Sequence, residues 1–222
     1  MADHMQDLLN VTGLILRSEP HGEYDRRVII LTAERGKISC FAKGARKPGN
    51  RFMSATNPLN FGTFMLYEGR SAYSINEASI SNYFEELRND YSAACYGMYF
   101  LELADYYTLE NNDERQMLGL LYQSLRAVQK GTIDLKLIKC VMEIKALMFN
   151  GEYPGVPTKS DGTSYDESTL YTLRHIESSP LNKLYTFAVS DNVLNELIAI
   201  CDVFQKRFID RPLKSLEILN DL

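Results

Sequence analysis

Between Val11 and Ala78 the apolar residues come in short runs or at alternate positions, and beyond Ile80 they fall three and four apart. The first third of the chain therefore reads as strands and the rest as helices. Val11 to Leu16 is an apolar run, and Ser18-Glu19-Pro20-His21-Gly22 predicts a break after it. Arg27 to Thr32 is apolar on both faces, as in a central strand, and Ala33-Glu34-Arg35-Gly36 has hairpin length. Lys37 to Lys43 alternates, sending Ile38, Cys40 and Ala42 to one face and Lys37, Ser39, Phe41 and Lys43 to the other. Two more strands fit Leu59 to Tyr67 and Ala72 to Ala78, joined through Glu68-Gly69-Arg70-Ser71. Five short strands in roughly 70 residues are what an oligonucleotide-binding (OB-fold) barrel needs.

The helical part divides in the same way. Ala94, Cys95, Met98, Leu101 and Asp105 mark a helix over Tyr91 to Tyr107, with the acid as the odd member of the stripe. Leu118, Leu121, Leu125 and Val128 mark another, closed by Lys130-Gly131, and Leu137, Val141, Ile144 and Met148 a third, ended by Asn150-Gly151. Tyr153 to Asp166, with Pro154, Gly155, Pro157, Gly162 and many hydroxyls, reads as a loop. Leu194, Leu197, Ile198, Cys201, Phe204 and Phe208 form a long amphipathic helix, capped by Ser190 or Asp191 and stopped before Pro212. The predicted class is α+β: an OB-fold barrel over residues 1–80, then an all-helical domain over 81–222.

Charge changes the picture. The chain is acidic overall, net −5, yet Arg26 to Arg51 holds eight basic residues and one acid, Glu34, for a net +7 that leaves −12 on the remainder. A patch of that density attracts a polyanion while the rest keeps the protein in solution. Its centre is the Lys37 strand running into Gly44-Ala45-Arg46-Lys47-Pro48-Gly49-Asn50, a glycine-punctuated loop followed by Arg51 and Phe52. Arg26, Arg27, Lys37, Lys43, Arg46, Lys47 and Arg51 are the expected phosphate contacts, and Phe41 and Phe52 the candidates for base stacking. Phe41 fits packing against a neighbouring strand equally well, and Phe52 fits the core.

Other chemistry finds less support. Gly44 and Gly49 have the spacing of a phosphate-binding P-loop, but Asn50 and Arg51 stand where its Lys and Ser/Thr belong. His4, His21 and His175 are isolated from one another and from any nucleophile signature. The acidic runs Glu85-Glu86 and Glu110 to Glu114 fit helix starts, where carboxylates meet the positive end of the dipole. Cys40, Cys95, Cys140 and Cys201 lie far apart among apolar neighbours and read as core residues of a reducing cytosol. No apolar run approaches the length of a membrane span, and no secretory leader pattern opens the chain. Met1-Ala2-Asp3-His4, ahead of a second methionine, reads as a vector-derived remnant. The expectation is a cytoplasmic, nucleoid-associated protein with no cofactor, no metal and no membrane contact.

Thr12-Gly13-Leu14-Ile15-Leu16-Arg17, Gly22-Glu23-Tyr24-Asp25-Arg26, Leu31-Thr32-Ala33-Glu34-Arg35-Gly36-Lys37 and Ala42-Lys43-Gly44-Ala45-Arg46-Lys47-Pro48 with Arg51-Phe52 resemble, in order and spacing, the amino-terminal pattern of the RecO family of bacterial recombination mediators. Tyr99-Phe100-Leu101-Glu102-Leu103 and Gly151-Glu152-Tyr153-Pro154 resemble its helical region more loosely. The resemblance implies a non-enzymatic protein that binds single- and double-stranded DNA, anneals complementary strands and, with RecR, helps load RecA onto strands coated by single-stranded DNA-binding protein (SSB). In one place the chain departs from the pattern. Many relatives follow the Gly-Tyr-x-Pro stretch with two Cys-x-x-Cys pairs that look like a zinc site, whereas Gly155 to Leu173 here contains no cysteine. The alternatives are a protein-interaction scaffold whose barrel does not bind DNA and a metal-dependent nuclease using the acidic clusters.

Overall fold

The computed structural model describes residues 8–69, 72–159 and 162–222. Met1–His4, Arg70-Ser71 of one predicted connection and two residues of the predicted loop lie outside them. By compactness the chain divides into two units, one holding the residues up to Glu85 together with Leu101–Leu118, the other Glu86–Phe100 with Gly119–Leu222.

The first unit is built on a closed five-stranded barrel, an OB fold. Its strands are β1 (Leu8–His21), β2 (Asp25–Thr32), β3 (Gly36–Ala42), β4 (Phe61–Tyr67) and β5 (Tyr73–Asn82), in the order β1-β2-β3-β5-β4. All neighbours are antiparallel except β3 and β5, which pair in parallel. Val11, Ile15, Val28, Ile30, Ile38, Cys40, Phe64 and Leu66 fill the interior, the inward members of the period-two pattern. The predicted break at Ser18–Gly22 does not occur: β1 continues to His21, with Pro20 opposite Arg26. The ladder of β1 with β4 ends at Leu14, and Ile15 still exchanges main-chain hydrogen bonds with Asn60 and Leu59, so Pro20, which has no N–H, stands five residues past the last of these bonds. A bulge between Ile15 and Arg17 lets Leu14, Ile15 and Leu16 all be buried in succession. Gly13 and Gly62 pair across β1 and β4, and a Cβ on Gly62 would lie 2.2 Å from the Ser79 carbonyl oxygen. Between β3 and β4 lies a single helical turn, α1 (Phe52–Ala55).

The remaining helices are α2 (Glu85–Asn89), α3 (Tyr91–Tyr107), α4 (Arg115–Lys130), α5 (Leu135–Phe149), α6 (Glu167–Ser178), α7 (Asp191–Phe208) and α8 (Lys214–Asn220). In α3 the predicted stripe is buried only in part, at Leu101 and Asp105, while Ala94 and Cys95 are half-buried and the opposite face is buried as well. Tyr96, Tyr99, Phe100, Leu103, Ala104 and Tyr107 are buried, and Met98 is 45% exposed. The buried stripe is carried by tyrosines, whose large apolar bodies bury while each hydroxyl needs a partner. Asp105, the odd acid, is buried on the predicted stripe, one turn on from the buried Leu101. In the second unit α5 is buried almost all round and packs against α6 and α7. Its Glu143 accepts from Tyr99 (2.5 Å), Gln205 (2.6 Å) and Lys139 (2.9 Å). Burial pushes the Lys139 ammonium down, and the Glu143 carboxylate beside it more than offsets that and holds it above the ordinary lysine value. The described residues of 153–166 form no helix or strand. Tyr153 donates to Glu177 at 2.6 Å and packs edge-on against Phe204, while Glu196 on α7 accepts from Lys159 at 2.7 Å and from the Asp166 backbone N–H at 3.1 Å.

Candidate nucleic-acid interface

The basic loop is shaped by its own backbone. Lys47 N–H donates to the Gly44 carbonyl at 2.9 Å and Asn50 N–H to the Lys47 carbonyl at 3.1 Å. These successive turns need the left-handed backbone that Gly44 supplies at φ 67° and Gly49 at φ 76°. The loop is then tied to the β1–β2 turn. The Asp25 carboxylate accepts from Gly44 N–H at 2.7 Å, Arg46 N–H donates to the Tyr24 carbonyl at 2.8 Å, and the Arg46 guanidinium reaches the carbonyls of Gly22 and Glu23 at 3.3 and 3.2 Å. Lys47 lies over the Tyr24 ring, 5.0 Å from its centroid.

Lys43, Arg46, Lys47 and Arg51 are thereby exposed along one nine-residue stretch, and none of them is paired with a carboxylate among the described residues. Arg46 donates only to neutral carbonyls, and Arg51 donates to the Asn76 carbonyl while stacking over Phe52 at 4.8 Å, so both keep their full charge. Arg27 is exposed on the outer face of β2, with Nε on the Ser39 hydroxyl at 2.9 Å. Phe41 stands opposite Arg27 on β3, half-buried, its ring centroid 4.6 Å from that of His21.

The other three sequence-predicted residues have different tasks. Arg26 is half-buried and donates to the Met53 carbonyl (2.9 Å), Thr56 Oγ1 (3.1 Å) and Asn57 Oδ1 (3.0 Å), pinning α1 to β2. Lys37 donates to the Asp105 backbone carbonyl at 2.7 Å and to its carboxylate at 3.1 Å, which offsets its charge. Phe52 is corrected from stacking candidate to core residue: it is 7% exposed and belongs to the barrel interior, because α1 turns its ring inward. The sequence reading did not single out His21 and Tyr24, which the structure sets against Phe41 and under Lys47.

His175 shares a 3.3 Å hydrogen bond with Ser179 and lies edge-on to Phe187, in a groove of about 690 Å³ between α6 and the start of α7. Glu114 accepts from Leu109 N–H and Asp113 from Arg115 N–H, both at the entry to α4. No group of three or more His, Cys, Asp or Glu among the described residues is placed to hold a metal ion.

Comparison with known proteins adds the family. A model described as Recombination protein O N terminal matches residues 5–84, and one described as Recombination protein O C terminal matches residues 88–156. The chain belongs to the RecO family. Among similar RecO proteins, the DNA repair protein RecO of Clostridium novyi is 26% identical over 249 aligned positions, covering 100% of this chain and 97% of its own. That of Acetivibrio thermocellus is also 26% identical, covering 96% and 97%. The RecO of Alkaliphilus metalliredigens reaches 32% over 147 positions, covering 66% of this chain and 60% of its own. In this RecO chain the stretch where a zinc site would be expected does not fit one: it has no cysteine, and Cys140 and Cys201 are fully buried on α5 and α7.

Proposed function

We propose that this RecO-family DNA repair protein is a non-enzymatic mediator that binds single- and double-stranded DNA through the 43–51 loop and the outer face of β2, and anneals complementary strands. The observation that carries the reading is the run of four exposed cations, Lys43, Arg46, Lys47 and Arg51, with no carboxylate paired to them among the described residues. Cations left unpaired and anchored through neutral carbonyls repel one another, and a polyphosphate backbone relieves that repulsion by displacing its own counterions. Of the nearby acids, Glu19 pairs with Arg17 at 3.6 Å and Asp25 accepts from the Gly44 N–H, which leaves Glu23 as the exposed acid on the adjoining turn. Annealing needs no nucleotide in this reading, because shielding two strands on one basic surface lowers their mutual repulsion. RecR and SSB are the partners that fit the family, with RecA loading as the outcome, and the helical unit would offer them rigid surface. None of the described helices is long and apolar enough to cross a membrane, which accords with a cytoplasmic, nucleoid-associated protein.

The test is a salt titration of DNA binding. Lys43→Glu, Arg46→Glu and Lys47→Glu together should abolish binding at moderate salt, and single neutral replacements should each lower the slope of log K against log salt by about 0.7 to 0.9. Unchanged affinity in the triple variant would refute the site. Annealing of complementary oligonucleotides without ATP, and recovery of RecR and SSB on the immobilised full chain, test the finer parts.

A further inference from the structure

We propose that His21 and Phe41 form a base-stacking platform that biases the interface toward unpaired strands. The proposal rests on the DNA-binding reading above and names which state of DNA that site favours. Phe41 is on β3 and His21 is the last residue of β1, with β2 running between them. Glu19, Arg27 and Phe41 stand opposite one another across the three strands, and His21, two residues on from Glu19, shares their outward face. The two rings meet above β2, with centroids 4.6 Å apart and planes tilted by 47°.

The two aromatic rings are in contact outside the barrel interior, His21 exposed and Phe41 half-buried. The interior is filled without them, since neither ring belongs to the barrel core. Cations flank them, alongside the acid Glu19: Arg27 is the cross-strand neighbour of Phe41, and Lys43 follows it by two residues, so that phosphates held by these cations would carry their bases over the rings. Tyr24, 44% exposed beneath Lys47, repeats the combination of ring and cation at the neighbouring turn. A base offers its flat face only when it is out of the duplex stack, whereas phosphates are presented by both forms. The cations therefore bind either form, and the rings discriminate between them.

The experiment compares the full-length protein with His21→Asn and with Phe41→Leu, using a fluorescent single-stranded oligonucleotide, the same strand in duplex, and a strand of equal length with abasic sites throughout. Each variant should bind the intact single strand about tenfold more weakly, bind duplex as the unsubstituted protein does, and keep the same salt slope. The unsubstituted protein should bind the abasic strand no better than the variants bind the intact one. Equal losses on single strand and duplex, or no loss on either, would overturn the proposal. If Phe41→Leu fails to fold, His21→Asn at its exposed position decides alone. A charge-reversed 43–51 loop that still binds DNA would instead defeat the underlying site, and the two failures are distinct.

Discussion

The Asp105 carboxylate receives the Lys37 ammonium at 3.1 Å, across 68 residues of sequence. Its other oxygen lies 3.3 Å from Arg17 Nε, so one acid from α3 offsets two cations on the outer face of the barrel. Lys37 and Asp105 are mostly buried, with side chains 19% and 10% exposed. The two ends of the patch thus differ in kind: the Lys37 end is ion-paired into the fold, and the cations of the 43–51 end have no carboxylate partner among the described residues.

Lys37→Ala should therefore destabilise the protein by about 1–2 kcal/mol, the cost of charge-assisted bonds lost and a carboxylate left underpaired, while DNA affinity stays within about twofold. Lys43→Ala should do the reverse. Thermal melting and a binding isotherm on each variant check the pair, and a large loss of DNA affinity in Lys37→Ala would restore that lysine to the interface.

The close approach of β4 and β5 predicts a steric effect. With a Cβ 2.2 Å from the Ser79 oxygen, Gly62→Ala must push backbone apart, at about 2–3 kcal/mol. Gly49→Ala meets open space and carries only the strain of φ 76°, about 1 kcal/mol. Denaturant unfolding of both variants should rank them in that order.

Glu196 predicts an acid-sensitive loop. Burial would raise its carboxyl, but the hydrogen bonds from Lys159 and the Asp166 N–H outweigh it and hold the group below the ordinary value. Because the folded state favours the carboxylate, its contribution is complete above the ordinary carboxyl range and is lost as pH falls through the depressed value. Glu196→Gln should lower stability near neutrality by about 1 kcal/mol and flatten the acid limb of the stability curve. Proteolysis within residues 153–166, followed against pH, should rise on acidification in the unsubstituted protein and depend less on pH in the variant.

Metal gives a further expectation. Protein purified without chelator should carry no stoichiometric zinc by elemental analysis, and EDTA should leave its melting temperature unchanged, since a metal bound only by the folded state would add to stability. One equivalent of zinc, lost together with stability on chelation, would contradict it.

The barrel was legible because period-two burial is written directly into residues such as Ile38, Cys40 and Ala42, and Gly44 with Gly49 announces a loop wherever it occurs. Lys43, Arg46 and Lys47 were readable as exposed for the same local reason. The fate of Lys37 was not, because its partner lies on a helix that no local pattern connects to β3. Nor was α6, whose buried face alternates Thr169 and Thr172 with Leu173 and Ile176 and so hides its apolar stripe. Phe52 shows the limit at a single residue: one helical turn decides between interior and surface, and a four-residue helix leaves no periodicity to read.

The return of Leu101–Leu118 to the barrel's own unit bears on how such a protein can change over generations. Glu110 bridges to Gly36, the Leu109 carbonyl accepts from Lys37 N–H at 3.3 Å, and Arg115 reaches the Ala33 carbonyl at 3.1 Å. A crossover that copied only the residues through Glu85 into another gene would deliver five strands with the β2–β3 hairpin stripped of these bonds and with Lys37 and Arg17 deprived of Asp105. The heritable module is interrupted in sequence, so drift in α3 and in the segment after it is constrained by a strand more than sixty residues upstream. Such a barrel is poorly suited to shuffling as a cassette and well suited to descent as part of one undivided gene.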